Sequence, residues 1–176
     1  MSERYLENVA LWYLQRFAAS ADSLRRVLLR RVETSARAHD TDRAEGAALV
    51  EAIIARYQQS GLLDDSAYAR VRALSLHRRG ASIRTIRVRL KAKGIGGGDT
   101  DLAIRALAQE AAEPDLVAAI AYARRRRLGP WRTCQDRDTY KQRDLAALAR
   151  NGFDYDTARR VIEASGTEQL ERESGA

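Results

Sequence analysis

The sequence predicts an all-α protein, and three observations carry that expectation. Hydrophobic residues make up 45% and charged residues 31% of the 176 positions, with only 11 glycines and 2 prolines. This balance suits buried helices and leaves too little punctuation for a many-turned β fold. Apolar residues recur at spacings of three and four, as in Leu24, Val27 and Leu28, in Ile83, Ile86 and Leu90, and in Ala158, Val161 and Ile162. Helix ends are marked by residue chemistry: Ser20, Asp65, Ser82, Asp99 and Asp154 are candidate N-caps, and Gly80, Gly94, Gly129 and Gly152 candidate stops.

In chain order these marks place nine helices near 4–18, 20–32, 43–60, 65–79, 82–94, 99–112, 115–128, 138–151 and 155–164. Residues 34–41, the Gly96-Gly97-Gly98 turn, residues 133–137 and the tail from Gly166 to Ala176 are expected to be least ordered, the tail because it is polar without an apolar face. A repeat runs through the helices. Leu24, Leu28 and Val32 match Ile86, Leu90 and Gly94 at one constant offset, and Leu148 and Gly152 match Leu90 and Gly94 at a slightly shorter one. Three helices per unit, three times over, predict an elongated, curved tandem array: units at 4–60, 61–112 and 113–165, then a disordered tail at 166–176. The third unit departs most, because Asp144 stands where Leu24 and Ile86 stand, so that Leu145 must supply the apolar contact.

Several classes are disfavoured. The apolar stretch from Ala47 to Ala55 is interrupted by Glu51, and Met1 to Asn8 carries acids without an apolar core, which reads as neither a membrane span nor a signal peptide and predicts a cytoplasmic protein. Cys134 is the single cysteine and His39 and His77 the only histidines, so no internal disulfide, no Cys/His metal site and no cofactor are expected. Asp64-Asp65 reads as a helix start before Tyr68 rather than a catalytic pair, since no further acid or histidine completes a site. Gly94 to Gly98 lacks the Gly-Lys-Ser/Thr of a phosphate loop and follows no strand. Trp12, Tyr13, Phe17, Tyr68 and Tyr122 lie in helices that need core residues, which favours packing over base stacking. The stretch from Ile83 to Ala112 resembles a helix-turn-helix only superficially, because its second helix would open on Asp99 and Asp101 and repel phosphates. A non-enzymatic binding protein is the expectation.

Charge is the remaining signal. Thirty-one Lys and Arg against 24 Asp and Glu give +7. The cations concentrate as Arg25-Arg26, Arg30-Arg31, Arg78-Arg79, Arg84, Arg87, Arg89, Lys91, Lys93 and Arg124 to Arg127. Most lie near predicted helix C-termini, where they complement the macrodipole whatever else they do. Arg84, Arg87 and Lys91 are different: their spacing lines three cations along one helix beside the apolar Ile83, Ile86, Leu90 row. The Arg124 to Arg127 run turns through about 300° of helix and cannot all face one partner. Candidate partner or nucleic-acid contacts are Arg25, Arg26, Arg30, Arg78, Arg79, Arg84, Arg87, Lys91, Lys93, Arg124 and Arg125.

Gly61-Leu62-Leu63-Asp64-Asp65 followed by Tyr68-Ala69-Arg70, Arg78-Arg79-Gly80, then Ile83-Arg84, Ile86-Arg87, Leu90 and Lys93-Gly94-Ile95, resemble the central pattern of the RecX regulatory proteins, bacterial modulators of the RecA recombinase. Ala10 to Phe17 with Ser20 to Arg31 resembles that family's first unit. Ala118 to Arg127, Arg150 to Phe153 and Ala158 to Ile162 resemble its third. The resemblance spans about Leu6 to Ala164; the triple glycine after Ile95 and the polar 133–137 connection depart from it. It implies tandem three-helix repeats lying as a monomer in the groove of the RecA filament on single-stranded DNA, touching DNA directly, and inhibiting recombinase, ATPase and coprotease activities within DNA repair and the SOS response. The pattern is architectural and transfers no catalytic residue. A general basic helical-repeat DNA-binding protein without a dedicated protein partner is the alternative.

Overall fold

The computed structural model describes residues 2–133 and 137–174, with side chains as far as Arg172. Cys134 and the middle of the 133–137 connection lie outside the described residues, as do Gly175 and Ala176. Ten α-helices and one 3-10 turn form among the described residues, without a strand: α1 (Glu3–Leu14), α2 (Ala21–His39), α3 (Arg43–Gln59), α4 (Asp65–Arg78), α5 (Ile83–Lys91), α6 (Gly97–Glu110), α7 (Pro114–Arg126), the 3-10 turn (Gly129–Trp131), α8 (Arg137–Arg150), α9 (Tyr155–Ile162) and α10 (Thr167–Ser174). Among these residues no helix is long and apolar enough to cross a membrane. The chain divides into two compact units, Met1–Ala69 with Lys91–Asp99, and Arg70–Leu90 with Thr100–Ala176.

In the first unit, Leu6 and Ala10 of α1, Leu24 and Leu28 of α2, and Val50, Ile53 and Ile54 of α3 form one core. Leu24, Leu28, Val32 and Ala36 are all buried. Four-residue spacing stacks them as one ridge along α2. This helix outruns its expected end at residue 32, and the repeat register explains why. Position 32 matches Gly94 and Gly152, whose φ angles of 74° and 88° end their helices in the left-handed region. Val32 carries a β-branched side chain that disfavours that conformation, so the helix continues to Asp40, which takes it at φ 51°. Gly46 of α3 makes room: a Cβ there would lie 2.5 Å from Val32 Cγ1.

In the second unit, Leu116, Ile120 and Ala123 of α7, Leu145 and Leu148 of α8, Phe153, and Val161 and Ile162 of α9 form the core. Leu145 supplies the expected apolar contact. Asp144 is nonetheless buried, 1% exposed, because Arg132 donates to it at 2.5 and 2.8 Å and the Gly129 N–H at 2.9 Å. Buried charge is tolerable only when paired in this way.

Four expectations are corrected. The tail is not disordered over 167–174: it forms α10, whose Leu170 is buried in the second core. One apolar residue in the right register suffices where a packed neighbour is present. Asp65 is not the N-cap of α4. Asp64 is, accepting the Ala67 N–H at 2.8 Å, and Asp65 is the first helical residue. Asp99 is likewise inside α6, which opens at Gly97. Trp12 and Phe17 are about half exposed rather than core. The α1 helix stops at Leu14, short of Phe17, and its buried face is Leu6 and Ala10.

Candidate functional site

Each unit contains one joint of the same design, assembled around the N-terminus of a helix. In the first unit the Ser20 hydroxyl donates to the Lys93 carbonyl at 2.6 Å, and the Ala21 N–H donates to Asp65 at 2.8 Å. In the second the Ser82 hydroxyl donates to the Asn151 carbonyl at 2.7 Å, and the Ile83 N–H donates to Asp115 at 2.7 Å. Ser20 and Ser82 also accept from the N–H three residues on, at 3.2 and 3.1 Å, as N-caps do. Lys93 and Asn151 directly precede Gly94 and Gly152. Each of those glycines meets the start of α2 or α5: a Cβ at Gly94 would collide with Asp22, and one at Gly152 would lie 2.6 Å from Ser82 Oγ. Asn151 adds a bond of its own, donating from Nδ2 to the Gly80 carbonyl at 2.7 Å. Burial raises the Asp115 carboxyl above its ordinary range, although the Ile83 N–H opposes the shift.

The two joints carry different charges. Beside the first, Arg26 pairs with Asp22 and donates to the Ala92 carbonyl at 3.0 Å. Arg25 is held by Glu51 at 2.7 Å, a hydrogen bond that raises its pKa further despite partial desolvation. Beside the second lies a cleft of about 320 Å³ whose charged lining is Arg84, Arg89 and Arg150. All three are exposed, and among the described residues none has an ion-pair or hydrogen-bond partner.

The remaining candidate cations are scattered over both units. Arg87 is engaged by Asp101 of α6 at 2.5 Å, so the middle of the Arg84, Arg87, Lys91 line is already neutralised. Arg79 donates to Ser75 at 2.8 Å, its carbonyl accepts from Arg125, and Arg125 sits 5.8 Å from the Tyr122 ring centroid. Arg30, Arg78, Lys91, Lys93 and Arg124 are exposed. The cleft thus keeps Arg84, leaves Arg87 outside, and adds two residues. Arg89 belongs to the basic cluster seen in the sequence, whereas Arg150 is a single cation at a helix end. The signal that finds it is the repeat register, which puts Arg150 opposite Ala92 as Asn151 is opposite Lys93.

Over 166 residues the chain is 44% identical to the Regulatory protein RecX of Myxococcus xanthus, covering 94% of this chain and 88% of that protein. The chain belongs to the RecX family. It is also 32% identical over 167 residues to the Regulatory protein RecX of Agrobacterium fabrum, covering 95% and 86% of the two chains. No family model matches, and no solved structure does. Among the described residues, no group of three or more His, Cys, Asp or Glu could hold a metal ion.

Proposed function

We propose that this chain binds the RecA nucleoprotein filament on single-stranded DNA and restrains its recombinase, ATPase and coprotease activities, without being an enzyme itself, within cytoplasmic DNA repair and SOS control. The observation that carries this reading is the match to Regulatory protein RecX over nearly the whole chain. The net charge of +7 and the exposed cations support it, since a filament presents phosphates. The duplicated joint supports a tandem organisation, read as three three-helix units at 4–60, 61–112 and 113–165; the chain is proposed to act as a monomer. Contacts are assigned to the candidate cations, chiefly Arg84 and Lys91 on α5, with Arg30, Arg78, Arg79, Lys93, Arg124 and Arg125 beside them; Arg87, Arg25 and Arg26 join them on leaving Asp101, Glu51 and Asp22.

The test is RecA-catalysed strand exchange and ATP hydrolysis with and without the protein, together with its binding to RecA-coated and bare single strands at one salt concentration. Suppressed exchange with preference for the coated strand is the expected result. Equal binding to both strands without suppression would favour a general DNA-binding protein instead. Changing Arg84, Arg87 and Lys91 to Ala should preserve folding, because exposed helix positions tolerate Ala. It should lower the magnitude of the salt slope by roughly 0.7 to 0.9 for each phosphate that the variant no longer neutralises.

A further inference from the structure

We propose that the cleft between α5 and the C-terminal end of α8 is a phosphate-group site, with Arg84, Arg89 and Arg150 as its donors. The site rests on the reading above, in which Arg84 meets phosphates, and it is tested without RecA so that its failure leaves RecA regulation standing.

Arg84 is the second residue of α5, and the first turn of that helix carries no acid. The macrodipole makes a helix N-terminus a poor place for a cation and a good one for an anion. The tendency of cations to gather at helix C-termini accounts for much of this protein's arginine, but not for Arg84. The Asp115 carboxylate already accepts from the Ile83 N–H at 2.7 Å, but it pairs with none of the cleft's arginines, so Arg84 stands at the positive end of α5 without an acid of its own.

The first unit repeats the same backbone joint with other side chains. In register, Asp22 stands where Arg84 stands, Arg26 where Val88 stands, and Ala92 where Arg150 stands. There the surface is self-neutralised by the Asp22–Arg26 pair, which also ties down the Ala92 carbonyl. Here acid, partner and small residue are replaced by Arg, an exposed Val and Arg. The cap bonds that hold the joint are the same in both. The three cations are therefore not needed to close it, and the unneutralised charge needs another account.

Chemistry then selects the ligand. Guanidinium forks bind oxyanions two oxygens at a time, and Thr85, the hydroxyl in the cleft wall, is already spent on the Asn151 carbonyl at 2.7 Å. Three forks converging on one cleft supply more donors than the two oxygens of a carboxylate use well. A phosphate group, from a nucleic-acid strand or free in solution, uses them better.

The experiment uses the full chain and a fluorescent single-stranded oligonucleotide read by anisotropy across a salt series, with thermal melting in inorganic phosphate as a second arm. Variants are Arg89→Ala with Arg150→Ala, and Arg84→Asp with Val88→Arg, which installs the ion pair of the first joint. Arg70→Ala with Arg105→Ala, exposed cations away from the cleft, controls for the reduced charge. Both cleft variants should weaken oligonucleotide binding by at least about tenfold, and the control by much less. A strand as source predicts a salt slope reduced by about 1.4 for the two arginines removed. Free phosphate as source predicts instead that phosphate raises the Tm of the wild type and the control but of neither cleft variant. Equal losses in cleft and control variants, no effect of the cleft variants in either arm, or displacement of the oligonucleotide by polyglutamate as readily as by unlabelled strand would each overturn the proposal.

Discussion

Asp144 is a charged residue buried beside the second core, 1% exposed. Burial pushes its carboxyl pKa up, but the Arg132 guanidinium and the Gly129 N–H together outweigh this and hold it below the ordinary carboxylate range. A depressed folded-state pKa stabilises the fold above the unfolded value near 4 and is lost as pH falls below it toward the folded value. Urea unfolding followed from pH 6 downward should therefore show stability falling below about pH 4 in the wild type, and a smaller fall over that range in Asp144→Asn. Arg132→Ala, which strands a buried carboxylate, should cost about 3 to 5 kcal/mol at neutral pH. Adding Asp144→Leu to it should recover most of that loss, since Leu24 and Ile86 occupy the same repeat position. No recovery would mean that the third unit packs this site differently. Leu28→Ala and Leu90→Ala, both fully buried, should each cost about 2 to 5 kcal/mol. Losses below about 0.5 kcal/mol at both would break the repeat register. The apolar positions of that register were legible from spacing alone. The ion pair at Asp144 was not, because Arg132 lies twelve residues away and outside the helix that carries Asp144.

Helix ends follow local chemistry wherever cap and stop residues lie within a few positions of each other, and depart from it where a side chain is claimed from afar. Ser20, Ser82 and Asp154 cap as expected. Asp65, adjacent to the cap Asp64, is drawn off to the Ala21 N–H forty-four residues earlier, a partner no local rule specifies. The glycines separate the same two influences. Gly152→Ala combines a left-handed φ with a 2.6 Å approach to Ser82 Oγ, and should lower stability by about 1 to 3 kcal/mol or more. Gly61 has a similar φ of 74° but nothing within 4 Å, so Gly61→Ala should fall at the low end of that range. Gly97→Ala and Gly98→Ala, in the first turn of α6 with open space around them, should be stabilising by about 0.4 to 1 kcal/mol. Thermal melts of the four variants rank them, and a Gly152→Ala protein as stable as Gly61→Ala would show that the joint yields.

At the scale of the whole molecule, the C-terminal residues are part of the fold. Leu170 is 1% exposed within the second core, so deletion from Gly166 onward should destabilise by roughly the cost of a buried leucine, about 2 to 5 kcal/mol. Urea titration of the truncated and full chains measures it, and an unchanged midpoint would return α10 to the status of an appendage. The sequence alone determined the helical class, the order of nine of the ten helices and the internal repeat, because helix period, capping residues and glycine stops act over a few positions and are written there directly. It also determined the family, through motifs that are the architecture itself. Only the tertiary structure decided which cations stay available. Charge in a sequence is a count, but availability depends on which carboxylate lies within about 4 Å in the fold: Asp22 and Glu51 occupy Arg26 and Arg25, Asp101 occupies Arg87, and Arg150 is brought to one cleft with Arg84 and Arg89, which lie far from it in the sequence.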